Sequence, residues 1–344
     1  MRANRFISLT KPRSIDRSLD SDGCDQKSKI SEFDLTQDDF YDIEALNSLD
    51  VKHYKNLDAY PYIFENDFDV LSWAAAMMTE SAMGFALLKE AQNAGWAVSL
   101  QHLDTGGFHL DIANKVVELD NFNMDAPSLG RSAFYRNTLL CVMAKALRDI
   151  WQEERWGAFE NNYKPDAVLL LERARTADAD SISVLVAWEL RNAGYDDVWR
   201  HVLAADDGDM ARVLMNVLER YPTAPYNGMA LAHIFRQWYA DESRVDALDH
   251  MTLQQMDYVL EENNISFGDK NALAEEFELL SILPDGCTYL KELGDTIVKD
   301  PFFNSLKDSV NQSHLFQIVY DTKVTYAHGI PFRDAKLARK FLKA

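Results

Sequence analysis

The 344-residue chain predicts a mainly α (α+β) fold, a helical body around one small three-stranded antiparallel β-meander. Three observations carry this expectation. Apolar residues alternate with period 2 only between Trp96 and Asp120, the pattern of half-buried strands. After Leu129 the apolar residues recur at helical spacing. Pro165, Gly194, Gly208, Pro222, Pro225 and Gly228 fall between those helical stretches or at their starts and punctuate them.

Residues 1–33 are rich in Ser, Asp, Lys and Arg and poor in apolar residues, the composition of a flexible tail. The stretch from Phe33 to Trp73 mixes aromatics with acids and predicts short helices and loops around the body. A pair of short helices follows, the second from about Ser81 to Asn93, with Gly95 as its left-handed stop. Trp96, Val98 and Leu100 then alternate with small or polar residues, as do Phe108, Leu110 and Ile112. Pairing Leu103 with Gly107 puts both apolar sets on one face and leaves the loop Asp104-Thr105-Gly106, whose glycine suits a left-handed position. Strands are expected over 96–103, 107–112 and 116–120. Helices are expected over about 131–156, 165–193, 196–204, 208–220, 227–240 and 243–262, with more beyond. The first two should pack antiparallel because their connection is short. The final stretch, "RDAKLARKFLKA", reads as a basic amphipathic helix in an acidic chain.

Composition narrows the function. Apolar residues make up 47% of the chain, enough for a sizeable core. A net charge of −20 repels phosphate backbones, so general nucleic-acid binding is not expected, while a basic protein partner is. Cys24, Cys141 and Cys287 are odd in number and widely spaced. They suit a reducing cytoplasm better than a disulfide framework or a cysteine zinc site. The N-terminus is basic without an apolar core, unlike a secretory signal. The runs "WAAAMM" and "SVLVAW" are too short to span a bilayer.

Chemical motifs are sparse. The eight histidines include no pair four residues apart, so no helix offers two imidazoles to one metal. The register above sends His102 and His109 to opposite faces of their hairpin. No GxSxG elbow, P-loop or Rossmann glycine pattern occurs. "TADAD" (Asp178, Asp180) and "AADDGD" (Asp206, Asp207, Asp209) hint at a cation. Their spacing is not that of a calcium loop, and helix N-terminal charge and capping account for the second cluster.

One helix has a more specific outline. In "VMAKALRDIWQEERWG", Met143, Ala144, Leu147 and Trp151 form a face to be buried, and Lys145, Arg148, Asp149 and Gln152 form the opposite face. A second helix carries "LERARTADADSISVLVAWELRNAGY", and "FRQWYADESRVDALDHMTLQQMDYV" comes later. Together, over about residues 70–262, these resemble a family of bacterial proteins of zincin-like metallopeptidase type. In that family the first helix reads like "LAHELRHAWQ" and the second carries an Arg followed by "EADA".

The frame residues match: Met143-Ala144, Leu147-Arg148, Trp151-Gln152, then Arg173 or Arg175 ahead of "TADAD". The site positions depart from it. Lys145 stands where the resemblance implies the first zinc histidine, Ala146 at the general-base glutamate, and Asp149 at the second histidine. Thr176 stands at the further glutamate, with Asp178 retained.

The resemblance implies a zincin-like core within a metallopeptidase-type domain (34–262), which composition and helical spacing flank with a tail (1–33) and a C-terminal helical region (263–344). It also implies a degenerate HExxH helix with no metal ligand set, no cofactor and no intact catalytic residue. Lys145 can stand in for the ion, paired with Asp149 one turn on and joined by Asp178, or the two can form a solvated surface pair. The expected function is a non-catalytic pseudoenzyme acting in binding or regulation. Two alternatives stay open. One is an active hydrolase in which His109, His233 or His250 converges with Asp149 or Asp178. The other is an interaction protein working through its basic termini.

Overall fold

The computed structural model describes residues 40–46, 62–103, 106–157, 162–225, 228–263, 267–320, 326–327 and 330–331. The expected tail 1–33 and the basic stretch 333–344 lie outside the described residues. A mainly helical body carries a small mixed sheet of four strands, β1 (Tyr41–Asp42), β2 (Ala97–Gln101), β3 (Phe108–Asp111) and β4 (Val116–Asp120), in the order β1-β2-β4-β3.

Strands form within the three stretches expected, but not as an antiparallel meander. β2 and β4 are parallel, with Ala97 facing Val116 and Gln101 facing Asp120. β3 is antiparallel to β4, and β1 adds antiparallel to the other edge of β2. The pairing of Leu103 with Gly107 does not form, because β4 lies between β2 and β3. Burial supplies the physical reason. Ser99 is buried along with its neighbours Val98 and Leu100, so β2 is covered on both faces, and "VVELD" carries apolar residues on both faces too. Such strands belong inside a sheet. β3 alternates buried and half-buried residues, as an edge strand does. The register that sent His102 and His109 to opposite faces falls with the meander. His102 lies past the end of β2 and is exposed, while His109 sits opposite Glu118. Two glycines behave as expected: Gly95 (φ 75°) ends its helix and Gly106 (φ 69°) turns the chain before β3.

The helices in order are α1 (Ile43–Leu46), α2 (Asp67–Thr79), α3 (Ala82–Asn93), α4 (Ala126–Arg131), α5 (Ala133–Trp156), α6 (Pro165–Asn192) and α7 (Asp196–Ala204). Next come α8 (Gly208–Arg220), α9 (Met229–Ala240), α10 (Glu242–Asn263), α11 (Ala274–Leu280), α12 (Gly294–Lys299), α13 (Pro301–Asn304) and α14 (Ser309–Tyr320). A two-stranded hairpin, β5 (Tyr326–Ala327) with β6 (Ile330–Pro331), ends the described chain. Capping residues set the starts. Asn66, Ser81, Asp125 and Ser132 each accept from a backbone N–H of the first turn. Ser132 is extended, so it splits the helix expected from residue 131 into α4 and α5.

α5 and α6 pack antiparallel at the centre. Ser183 donates to the Cys141 carbonyl at one end, Arg148 meets Asp178 in the middle, and Arg175 reaches Glu153 at the other end. Leu140, Ala144, Leu147 and Trp151 are buried as expected. The opposite face of α5 is buried as well, so of the two arrangements expected for Lys145 and Asp149 the solvated surface pair does not form. Arg148, Asp149 and Gln152 are as buried as Trp151. Arg148 donates to the carbonyls of Leu280 and Ile282, which places the segment after α11 over that face.

The connection between α5 and α6 is held to the later chain by backbone bonds. Lys164 N–H donates to the Lys270 carbonyl and Lys270 N–H to the Asn162 carbonyl. Gly268 sits so close that a Cβ there would come within 2.1 Å of the Asn162 carbonyl oxygen. Gly268→Ala is therefore expected to destabilise the protein by about 1–3 kcal/mol through overpacking. Urea unfolding followed by circular dichroism checks this; a loss below about 0.5 kcal/mol would show that the approach relaxes freely. Among the described residues, no helix is long and apolar enough to cross a membrane.

Candidate functional site

Helical periodicity decides which side chains meet at the α5–α6 interface. Lys145 and Asp149 are four apart on α5, and Thr176 and Asp180 four apart on α6, so each pair shares a face. These four residues line one cavity of about 50 Å3, together with Phe108 of β3 and Met251 of α10. The structure therefore gathers Lys145, Asp149 and Thr176. Ala146 points into the packed core at 1% exposure. Asp178 is also fully buried, but on the other side of α6.

Lys145 does not pair with Asp149 or Asp178. Its ammonium lies 2.8 Å from Asp180 and 2.9 Å from Asp207, the latter at the start of α8. Asp180 also accepts from the Trp238 indole at 2.8 Å. Burial works to lower the lysine pKa, but the two carboxylates outweigh it and the net shift is upward, so Lys145 is a fixed cation. The carboxylates divide the single ammonium unequally. Burial raises Asp180 despite Lys145, and the charge of Asp207 raises it further. Asp207 meets the same burial penalty, but Lys145 and then Arg244 hold it below the usual carboxylate value. The "AADDGD" cluster does sit at a helix N-terminus, with Asp207 at the N-cap and Asp209 in the first turn of α8, but Asp207 makes no side-chain cap bond, and Asp209 binds Arg244 and Gln237 at 2.9 Å each.

Asp149 and Asp178 are held by arginines. Arg148 clamps Asp178 through two hydrogen bonds of 2.6 and 3.1 Å, and Tyr289 donates to the same carboxylate at 2.6 Å. The Gln152 amide adds a further bond to Asp178. The Tyr289 hydroxyl is pushed well above its ordinary pKa, first by burial and then by the Asp178 charge. Arg175 donates to Asp149 at 3.3 Å, to the Gln152 carbonyl oxygen at 3.0 Å and to Glu153 at 2.8 Å. Arg173, the other arginine ahead of "TADAD", clamps Asp249 of α10 at 2.6 and 2.7 Å. These fork-to-carboxylate bonds are the geometry that arginine favours for a buried ion pair.

The cavity shares Lys145, Thr176 and Asp180 with a neighbouring cleft of about 610 Å3. Phe134 and Val142 of α5 line it too, with His201 of α7, Arg244 and Met251 of α10, and Gly106 and Gly107 before β3. Burial lowers the His201 pKa against the pull of Asp207, so the imidazole is held toward its neutral form. It meets Thr138 Oγ1 at 3.2 Å and the Phe134 ring edge-on at 5.0 Å. Burial pushes the Cys141 thiol, one turn before Lys145, up to about 12, which makes it a poor nucleophile. His233 and His250 are exposed on α9 and α10, whereas Asp149 and Asp178 are buried. Among the described residues, no three His, Cys, Asp or Glu side chains come together where they could hold a metal ion.

The sequence reading missed Asp180 and Asp207 as the partners of Lys145. Both acidic clusters were visible as candidate cation sites, and the cation is a lysine of this same chain. Nothing local in the sequence links residue 145 to residue 207; only the folding of α7 and α8 back over α5 does.

Residues 131–290 match a family described as "Putative metallopeptidase family (DUF6782)". No curated protein and no solved structure matches the chain. The matched segment runs from the end of α4 to Leu290, so it contains both the Lys145 cluster and the residues that complete the Arg148 clamp. It also crosses residue 262, where the sequence reading places a domain boundary.

Proposed function

We propose that the chain is a metallopeptidase-like protein whose catalytic metal has been replaced by an internal lysine, and that it acts by binding rather than by hydrolysis. The observation that carries this reading is the Lys145 ammonium held between Asp180 and Asp207 in the cavity shared with Asp149 and Thr176. A catalytic zinc takes three donors, such as imidazole or carboxylate, and keeps one position for water. The residues present do not fit it. Lys145 is a cation at the first donor position, Asp149 is bonded to Arg175, and Thr176 offers a neutral hydroxyl. A metal-bound water would also need a base, and Ala146 has none to offer. The gathering of Lys145, Asp149 and Thr176 at one cavity supports the zincin-like register of the two helices.

Metal analysis after dialysis tests the reading. The natural chain is expected to retain no zinc, and Lys145→His, Ala146→Glu, Asp149→His and Thr176→Glu together are expected to gain it. Circular dichroism establishes that this variant is folded. Stoichiometric zinc in the natural chain, lost on Asp149→Ala, would overturn the proposal. A folded fourfold variant that stays metal-free would overturn the register.

A further inference from the structure

We propose that the 610 Å3 cleft is a receptor for the chain's own basic segment, residues 2–13, so that the N-terminal arm and the cleft form an intramolecular lock. The proposal rests on the foregoing one only in treating the cleft as a binding site. Metal analysis tests the loss of the zinc site and the titration below tests the occupant, so either can fail alone.

Size, charge and apolar surface each bear on the occupant. The volume lies in the range that encloses a ligand of several side chains. Four carboxylates line the cleft, Asp180, Asp206, Asp207 and Asp241, against the two permanent cations Lys145 and Arg244. With His201 held toward its neutral form, the cleft favours a cationic guest. Its polar floor is flanked by apolar wall: Val142, Val202, Leu248 and Met251 line it, and the Phe134 ring is 56% exposed at its side. An aromatic face in that position can take an apolar side chain or a guanidinium. The guest that fits is therefore a short peptide with both cations and large apolar side chains.

Residues 2–13, "RANRFISLTKPR", have that composition. They carry Arg2, Arg5, Lys11 and Arg13 with Phe6, Ile7 and Leu9, and no acid occurs before Asp16. The other basic stretch, 333–344, contains Asp334. Residues 14–39, 26 in number, separate Arg13 from Phe40, the first described residue, a reach of up to roughly 90 Å. A tethered ligand on such a linker is present at an effective concentration near the millimolar range, which an untethered basic peptide does not match.

The test is a competition in the full-length chain. A labelled peptide of residues 2–13 is titrated into the natural protein and into a chain carrying Arg2→Ser, Arg5→Ser, Lys11→Ser and Arg13→Ser. The neutralised chain is expected to bind the peptide at least about tenfold more tightly, because its internal competitor is gone. Adding Asp206→Asn, Asp241→Asn and Phe134→Ala to it should abolish that gain, and raising the salt should weaken binding. Equal affinity for the natural and neutralised chains would overturn the proposal. So would binding that ignores the three cleft substitutions, or a 333–344 peptide that binds as well as 2–13.

Discussion

Arg148→Ala is expected to destabilise the protein by about 3–5 kcal/mol, the range for removing one partner of a buried ion pair. The guanidinium is fully buried and makes four bonds, two to Asp178 and two to the carbonyls of Leu280 and Ile282. Its loss leaves Asp178 with the Tyr289 hydroxyl and the Gln152 amide, and takes a donor from the carbonyls of Leu280 and Ile282, of which the latter keeps the Trp151 indole. Equilibrium urea unfolding followed by tryptophan fluorescence measures the effect. Pairing the substitution with Asp178→Leu should cost less than the two single losses added together, because the stranded charge is then removed too. A single-variant loss below about 1 kcal/mol would mean that the guanidinium is not held in the interior.

Lys145→Met is expected to cost about 2–3 kcal/mol at pH 7, less than Arg148→Ala because the ammonium keeps some contact with water. The pH dependence separates the charge effect from packing. Lys145 has a raised folded pKa, so its contribution is complete below its unfolded value and is lost as pH rises through the folded value. Asp207 has a depressed folded pKa, so its contribution is present above its unfolded value and is lost as pH falls through the folded one. Asp180 runs the other way: its raised pKa makes ionisation unfavourable to the fold, and acid relieves that cost. Without the lysine both buried carboxylates prefer to be neutral. The gap between natural chain and Lys145→Met should therefore narrow as the pH is lowered from 7 to 5. A gap that stays constant would assign the loss to packing of the lysine stem instead.

Local patterns in the sequence proved reliable where one element decides them. The starts and stops at Ser81, Gly95, Pro165 and Gly194 are written in single residues whose backbone preferences act alone. The apolar face of α5 was readable for the same reason, since Leu140, Ala144, Leu147 and Trp151 need only a helical period. Partner choice was not readable. β2 and β3 each alternate well enough for a hairpin, and only the two-sided burial of Ser99 and its neighbours places β4 between them. Arg148, Asp149 and Gln152 look like a solvated stripe in sequence because charged residues are usually exposed. Arg148 is buried because residues 280–290 return across it, and Asp149 because α6 and α10 close around it; no helical period encodes either approach. At the candidate site, Lys145, Asp149 and Thr176 could be placed together from the family-like spacing. The acids that bind Lys145 could not, since they come from another turn of α6 and from the residue that precedes α8.

The arginine clamps have a consequence for how the chain is made. Arg148 and Arg173 sit on the two central helices, yet carbonyls that complete them belong to Leu280, Ile282, Phe303 and Ser305, some 130 residues downstream. A nascent chain that has released only α5 and α6 holds two guanidinium groups with nowhere dry to put them. Hydrophobic closure around Leu147 and Trp151 must then wait, or begin with those charges still hydrated. Contacts this distant in sequence slow the search for the native state. Synthesis adds about 5–20 residues each second, so the helix pair spends several seconds outside the ribosome before residue 305 appears. The interior of this protein closes late, and the interval in which its apolar helix faces are uncovered is set by translation as much as by folding.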